Sequence, residues 1–437
     1  MSTRRACAAA VCALALALPS AAGATRPIPG QYIVVLQDGL DAPSVASEHL
    51  DGFGVRALYT YSAAVDGYTA RLSQTQLRLV KADPRVAFVT QDVEGNSLMA
   101  QTLPTGIDRF DADASTTLAG DGSGETAGDV AVYDTGIQTT HPDLNVTGGV
   151  NCLGAISASN DGTINDGHGH GTHLAGIIGA RDDANGVVGV APGVRLWAVR
   201  VNDAYGQTSA SAQLCGIDWL TQNGPGLGIK VVNASQGLFG AADDGNCGYT
   251  ANDVLHQAIC ASTAAGITWV FAAGNSTRDL EYLSGATYDE VLAVTAVADS
   301  NGQPNVGSGS RFSCRTVTKS SQSDTDDTEA DFSNWAVSAA DQAHTIAAPG
   351  VCIYSTYKGT TYGYMGGTSQ AAPHATAAVH LCVISGQCTG VPAENIQKVR
   401  SDAAAFAQAN PTWGFAGDPG HPTAGRYYGD LIRAGLY

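Results

Sequence analysis

A serine, a histidine and an aspartate in this chain each sit beside glycines, and together those three side chains can cleave an acyl bond. Ser369 lies in Gly366-Gly367-Thr368-Ser369-Gln370-Ala371-Ala372-Pro373-His374, a glycine-rich turn leading into an apolar helix expected over 371–383. A serine hydroxyl is a poor nucleophile near neutral pH. It needs a histidine to take its proton, an aspartate to hold that histidine in the right tautomer, and donors for an oxyanion. His170 stands in His168-Gly169-His170-Gly171-Thr172-His173, and Asp134 follows the β-branched run 130–133 and precedes Thr135-Gly136. Asn275 ends Phe271-Ala272-Ala273-Gly274-Asn275, where its amide is a neutral donor that, with the N–H of Ser369, suits an oxyanion. The glycines before Ser369 permit a sharp turn, and the free N–H groups of a first helical turn favour negative charge. Pro373 falls early enough to remove little helical bonding. Taken singly, Ser369 reads as a helix cap and Asn275 as a turn residue, so the rest of the chain decides.

Two other chemistries compete for these residues. Asp134-Thr135-Gly136 suits an aspartic protease, but that mechanism needs two carboxylates sharing a proton, and no second Asp-Thr-Gly or Asp-Ser-Gly occurs. Three clustered histidines suit zinc, yet there is no His-Glu-x-x-His and no further ligand at a fixed short offset. A helix starting at His170 lets His170 project from the sheet edge and turns His173 inward as a hydrogen-bonded packing residue.

The elements that must hold these residues follow a βαβ rhythm. Strand-like runs at 130–133, 196–201, 230–234, 267–272 and 291–297 alternate with helical stretches at 170–180, 209–223 and 251–265. Near-continuous apolar strands predict a parallel sheet covered on both faces, with its site beyond the strands' carboxyl ends. Earlier, strands at 31–36, 65–72 and 86–89 and a helix at 74–82, with Leu77 and Val80 inward, predict a small separate α+β unit. Its pattern fades over 94–101, an exposed linker.

Composition bounds the rest. With 437 residues, 44% apolar and only 14% charged, the chain can bury a large core. Arg4 and Arg5, the apolar run 6–18 and Ala22-Gly23-Ala24 read as an export signal over residues 1–24, and no later run is long enough for a membrane anchor. A net charge of −18 disfavours nucleic acid and anionic membranes as partners. Eight of the ten cysteines lie beyond the signal, and an even number in an exported chain predicts disulfides. Their pairing is open. Cys382 and Cys388 are close in sequence, although a helix between them would keep their sulfurs apart.

Val132-Tyr133-Asp134-Thr135-Gly136-Ile137 with His141-Pro142-Asp143-Leu144 resembles the aspartate motif of subtilisin-like serine proteases. His170-Gly171-Thr172-His173-Leu174-Ala175-Gly176 is similar to their histidine motif, Ala272-Ala273-Gly274-Asn275 to their oxyanion motif, and Gly367-Thr368-Ser369 with Pro373 to their serine motif. The order Asp, His, Ser separates them from α/β-hydrolases. Stretches 30–36 and 86–89 look like the family's inhibitory I9-type propeptide, and 101–109 resembles the mature start of its proteinase K-like branch. By that resemblance Ser235, Gln236 and Gly237 form one wall of the substrate pocket, opposite Ala273 and Gly274. Gln236 and Gln370 stand where the family favours apolar residues. The segment 301–334 is a Ser/Thr/Asp-rich insertion expected to be a solvated loop; the alternative is Ca²⁺ binding by Asp324, Asp326, Asp327, Glu329 and Asp331. None of the family's calcium ligands is matched residue by residue, so structural Ca²⁺ is permitted without being located.

The expectation is a subtilisin-like three-layer α/β fold with a mostly parallel sheet over 101–437, preceded by an α+β propeptide over 25–100. It implies a secreted, monomeric serine endopeptidase acting on polypeptides, inhibited by its own propeptide and using no cofactor for catalysis. Asp134, His170, Ser369 and Asn275 carry the chemistry, with activity rising through roughly pH 6 to 7. The rival is a silent homologue that retains only peptide binding.

Overall fold

The computed structural model describes residues 26–94, 101–154, 161–304, 306 and 309–437. The expected export signal and most of the expected linker lie outside the described residues. The chain forms two compact units that divide between Leu98 and Met99.

The first unit is a four-stranded antiparallel sheet with two helices. Strand β1 (Arg26–Leu36) is followed by α1 (Ala42–Phe53), β2 (Ala57–Tyr61), β3 (Gly67–Arg71), α2 (Gln74–Ala82) and β4 (Val86–Glu94), in sheet order β2-β3-β1-β4. Val34 and Leu36 of β1, Tyr68 and Ala70 of β3, Val45 of α1 and Val80 of α2 make its core, with Leu77 packed against it. Helix α2 carries a full capping box between Ser73 and Gln76.

The second unit is built on an eight-stranded sheet. In chain order it contains α3 (Thr105–Arg109), β5 (Asp129–Asp134), β6 (Val146–Asn151), α4 (His170–Gly179), β7 (Arg195–Arg200), α5 (Ala210–Leu227), β8 (Ile229–Ala234), α6 (Val254–Ala264), β9 (Thr268–Ala272) and β10 (Leu292–Ala298). There follow the hairpin β11 (Arg311–Arg315) and β12 (Ser321–Thr325), then β13 (Thr328–Glu329), α7 (Ala339–Ala343) and β14 (Thr345–Pro349). A second hairpin, β15 (Ile353–Tyr357) and β16 (Thr361–Met365), precedes α8 (Thr368–Ile384) and α9 (Pro392–Ala409). Strands run in the order β6-β7-β5-β8-β9-β10 with β14 beside β10, all parallel, and β13 is an antiparallel addition to β10.

Alternation along β5 divides the interior. Val130 and Val132 pack with Leu174, Ile177 and Ile178 of α4 and Ala371, Ala375 and Ala378 of α8. Ala131 and Tyr133 face the other way, into Ile217 and Leu220 of α5 and Leu255 and Ile259 of α6. Both sheet faces are therefore covered, the condition under which parallel strands are stable. No helix among the described residues is long and apolar enough to cross a membrane.

Four disulfides join Cys152 to Cys215, Cys247 to Cys260, Cys314 to Cys352 and Cys382 to Cys388. The last pair closes because α8 ends at Ile384, so the chain can turn back within the short span between the two cysteines.

The insertion differs from expectation. Instead of a solvated loop it forms β11, β12 and β13, and Asp324, Asp326 and Asp327 are buried. Their oxygens have partners inside the protein: Asp326 accepts from Ser300 and Asn301, Asp324 from the Asp331 N–H, and Asp327 pairs with buried Arg109. The alternative, a five-carboxylate calcium cluster, does not assemble among the described residues, where Asp326 and Asp327 already serve these internal donors.

Candidate active site

Asp134 is the last residue of β5, whose six residues are all buried. The strand ends where Gly136 turns with φ +99°, and a Cβ there would lie 2.4 Å from the Ile164 carbonyl oxygen. Asp134 Oδ1 accepts from the N–H of Thr135 at 2.8 Å and meets His170 Nδ1 at 2.8 Å.

His170 opens α4, and a residue outside the predicted set aims it. Asp166 is buried and accepts from Thr135 Oγ1, from the N–H groups of His168, Gly169 and Thr172, and from Thr172 Oγ1, at 2.6 to 2.9 Å. It thereby ties the end of β5 to the first turn of α4 and satisfies N–H groups that a helix start leaves free. Gly171 is required at that junction, since a Cβ would fall 2.2 Å from the Gly136 carbonyl oxygen. Burial would lower the pKa of His170, but the Asp134 carboxylate, with help from Asp166, more than offsets it, and the pKa is raised.

The neighbouring histidines do other work. His173 is fully buried, its Nε2 is 3.0 Å from the Gly363 carbonyl oxygen, and burial pushes it down to about 3, as fits a packing residue. His168 lies with its ring 6.2 Å from that of His170. Among the described residues the three imidazoles form no metal-ligand cluster.

Ser369 stands in the first turn of α8, which begins at Thr368, three residues earlier than expected. Its Oγ donates to the Ser235 carbonyl oxygen at 3.2 Å. Its own carbonyl accepts from Ser235 Oγ at 2.8 Å. That acceptor is free because Pro373, four residues on, has no N–H to donate. Helices α4 and α8 pack against each other, so His170 and Ser369 stand at the N-terminal ends of adjacent helices. The two side chains are not hydrogen-bonded to each other in this structure.

Asn275 is oriented by a residue that the sequence reading left without a role. Its Oδ1 accepts from the N–H and Oγ1 of Thr368 at 2.8 and 2.9 Å, and Thr368 Oγ1 accepts from the Gly274 N–H at 3.0 Å. With the oxygen fixed, Nδ2 is the end left to donate. Around it, Asn334 holds Ala273 and Gly274 through its Nδ2 to the Ala273 carbonyl and its N–H to the Gly274 carbonyl, both at 2.9 Å. On the other wall, Gln213 Nε2 donates to the Gly237 carbonyl at 2.9 Å, and Asn233 Nδ2 to Ser235 Oγ at 3.0 Å. The Gln236 amide is occluded, with no hydrogen-bond partner.

A cation-compatible cluster occurs elsewhere in this unit. The Gln101 amide reaches the carbonyl oxygens of Arg181, Asn185 and Val187 at 2.6, 3.3 and 3.2 Å. Asp143 accepts from the Val187 N–H at 3.0 Å, and burial, with the Asp183 charge adding to it, pushes its carboxyl up to about 7. Three carbonyls, the Asp143 carboxylate and an amide, which a half-turn would present oxygen-first, are hard oxygen donors of the kind Ca²⁺ takes. The residues fit such an ion, and a dication would relieve the cost of ionising Asp143.

Residues 127–412 match the subtilase family, peptidase S8, and residues 31–95 match peptidase inhibitor I9. The chain is 34% identical over 314 residues to an alkaline protease of Alkalihalobacillus alcalophilus, covering 72% of this chain and 68% of that protein. It is 32% identical over 382 residues to subtilisin E of Bacillus subtilis (strain 168), covering 85% of each. A crystal structure of a cold adapted subtilisin-like serine proteinase shares the fold at a TM-score of 0.52 and 23% identity, over 76% of this chain and 98% of that one. The chain therefore belongs to the subtilase family and is a subtilisin-like serine endopeptidase with an I9 domain before its catalytic unit.

Proposed function

We propose that Ser369, His170 and Asp134 act as one triad and that the protein is a secreted, self-processing zymogen. The observation that carries this is the 2.8 Å contact between His170 Nδ1 and Asp134 Oδ1. It fixes the proton on Nδ1 and leaves the Nε2 lone pair to take one from Ser369. Ser369 Oγ then bonds to the scissile carbonyl carbon while its proton passes to Nε2, and Asn275 Nδ2 with the Ser369 N–H stabilises the oxyanion. The same proton is delivered to the leaving amine as the C–N bond breaks, and water repeats the sequence to release the acid. Catalytic hydrogen bonds are often made only once substrate is bound, so a serine resting on the Ser235 carbonyl is compatible with this role.

Ser235, Gln236 and Gly237, opposite Ala273 and Gly274, would hold the acyl side of an extended polypeptide through main-chain groups. The reading takes residues 1–24 as export signal, 25–100 as an intramolecular inhibitor, and 101–437 as the mature, monomeric enzyme. No cofactor enters the chemistry. Ca²⁺ held by Gln101, Asp143 and their neighbours would brace the fold.

The test is labelling by a serine-reactive phosphonate together with N-terminal sequencing of the exported product. The expected result is an adduct on Ser369, abolished in His170→Ala, and a start between Asn96 and Gln101 that is lost in Ser369→Ala. An unlabelled Ser369 would leave a silent peptide-binding homologue, and a start near Thr25 would remove the zymogen.

A further inference from the structure

The insertion over 301–334 packs onto the segments that carry the reacting groups. Gln322 of β12 lies so close to Gly366 that a Cβ there would fall 1.7 Å from Gln322 Oε1, and the same oxygen accepts from the Cys352 N–H at 3.0 Å. Cys314 of β11 is joined to Cys352 through a disulfide, and the N–H of Val317, in the hairpin turn, donates to the Tyr364 carbonyl of β16 at 2.9 Å. The hairpin is thus fixed at both ends to the chain leading into Ser369. At its base the Thr277 N–H donates to the Phe332 carbonyl at 3.0 Å, two residues beyond Asn275.

These contacts border an open surface cavity of about 410 Å³, lined among others by Thr277, Gly366, Gln322, Asp324, Asp331 and Phe332. None of its lining residues belongs to Ser235–Gly237 or to Ala273 and Gly274, the walls assigned to the acyl side. Through Gly366 and Thr277 it adjoins the loops of Ser369 and Asn275, on a side that the acyl-side walls do not line. Its charged lining is acidic. Asp324 is only 2% exposed, and one carboxylate oxygen accepts from the Asp331 N–H at 2.9 Å while the other has no hydrogen-bond partner among the described residues. The Asp331 side chain is 74% exposed and lies 3.8 Å from the exposed Arg311.

We propose that this cavity is a leaving-side substrate subsite, built by the insertion, that selects a lysine or arginine side chain through Asp324 and Asp331. A hydroxyl- and amide-rich wall solvates an ammonium or guanidinium group, and two carboxylates complement its charge. Burial pushes the Asp324 carboxyl up to about 6, with Asp331 adding to this and Arg311 opposing it. A bound cation offsets that cost.

The subsite rests on the endopeptidase reading, and the experiment separates them. Peptides of constant acyl side, varied only after the scissile bond among Lys, Arg, Ala, Leu and Glu, are compared by kcat/KM at pH 8. A peptide anilide lacking any leaving-side residue is hydrolysed in parallel by the wild-type enzyme. Basic residues should exceed Glu by roughly ten-fold at one leaving-side position. Within each variant the same ratio should fall toward one in Asp324→Asn and invert in Asp331→Lys, whose exposed site tolerates exchange. Anilide hydrolysis without any basic preference, or a preference unmoved in both variants, overturns the subsite alone. Loss of all hydrolysis, with Ser369 unlabelled, overturns the endopeptidase reading and the subsite with it.

Discussion

Ser235 donates its hydroxyl to the Ser369 carbonyl oxygen at 2.8 Å, the acceptor that Pro373 leaves without a helical donor. The proline thus turns a helix defect into a link between the serine-bearing helix and a strand end that flanks the site. Ser235→Ala should cost about 1–2 kcal/mol, because a part-buried carbonyl loses its hydroxyl donor. Pro373→Ala restores an N–H at that point, so the double variant should recover most of the loss. Urea unfolding in a Ser369→Ala background, which prevents self-digestion, measures the cycle. Strictly additive effects would show that the two residues do not share this acceptor.

The pKa of His170 is raised by Asp134 against the opposing effect of burial. Its base form therefore predominates only above the ordinary histidine value of about 6.5, and kcat/KM should climb along a limb centred above that pH. Asp134→Asn should lower kcat by about 10⁴-fold, as triad aspartate removal does elsewhere, and move the limb to lower pH as the stabilising charge disappears. A limb that stays in place would mean that another group controls it. Asn275→Ala should cost about 10² to 10³ in kcat, the range known for removal of the oxyanion asparagine in subtilisin itself.

How far the sequence reached depends on the range of the interactions involved. Asp134, His170, Asn275 and Ser369 were legible because each follows an apolar strand or begins a helix, and glycines mark the turns. Asp166 carried no such mark. Its role comes from donors on two separate segments, β5 and α4, which meet only in the folded chain. Helix α1 carries signals of its own, an Asp41 cap, Pro43 and a Gly54 stop, that the hydrophobic pattern alone does not bring out. Three of the disulfides close loops of 13 to 63 residues, and no local pattern specifies such pairings. The insertion was misread because Asp and Ser imply solvent unless a buried cation such as Arg109, nearly two hundred residues upstream, has already been placed.

Asp143 sets a pH-dependent test for calcium. Its folded pKa, pushed up to about 7, exceeds the unfolded value near 3.9, so the folded chain binds the extra proton and stability falls as pH rises from about 4 through 7. Ca²⁺ should cancel that fall by compensating the carboxylate, and chelation should expose it. Melting curves of the Ser369→Ala protein at pH 5 and pH 7.5, with Ca²⁺ and with chelator, give the comparison. The calcium-dependent gain should be larger at pH 7.5 and should largely vanish in Asp143→Asn. Equal gains in Asp143→Asn would place the ion elsewhere.

Arg109 ties three distant parts of the catalytic unit together. Its guanidinium is fully buried and bonds to Asp327 of the insertion and to the Trp413 and Gly414 carbonyls, with Asp299 3.5 Å away. Arg109→Met keeps the volume but leaves two buried carboxylates without their cation, an imbalance that costs about 3–5 kcal/mol. Burial already pushes Asp299 up to about 7, and losing Arg109 raises it further. Protonation then relieves the variant more than the parent, so the stability difference should be smaller at pH 5 than at pH 8. Calorimetry in the Ser369→Ala background reads both values. A difference independent of pH would assign the loss to packing against Trp413 rather than to the stranded carboxylates, and would remove the electrostatic account of how the insertion is held.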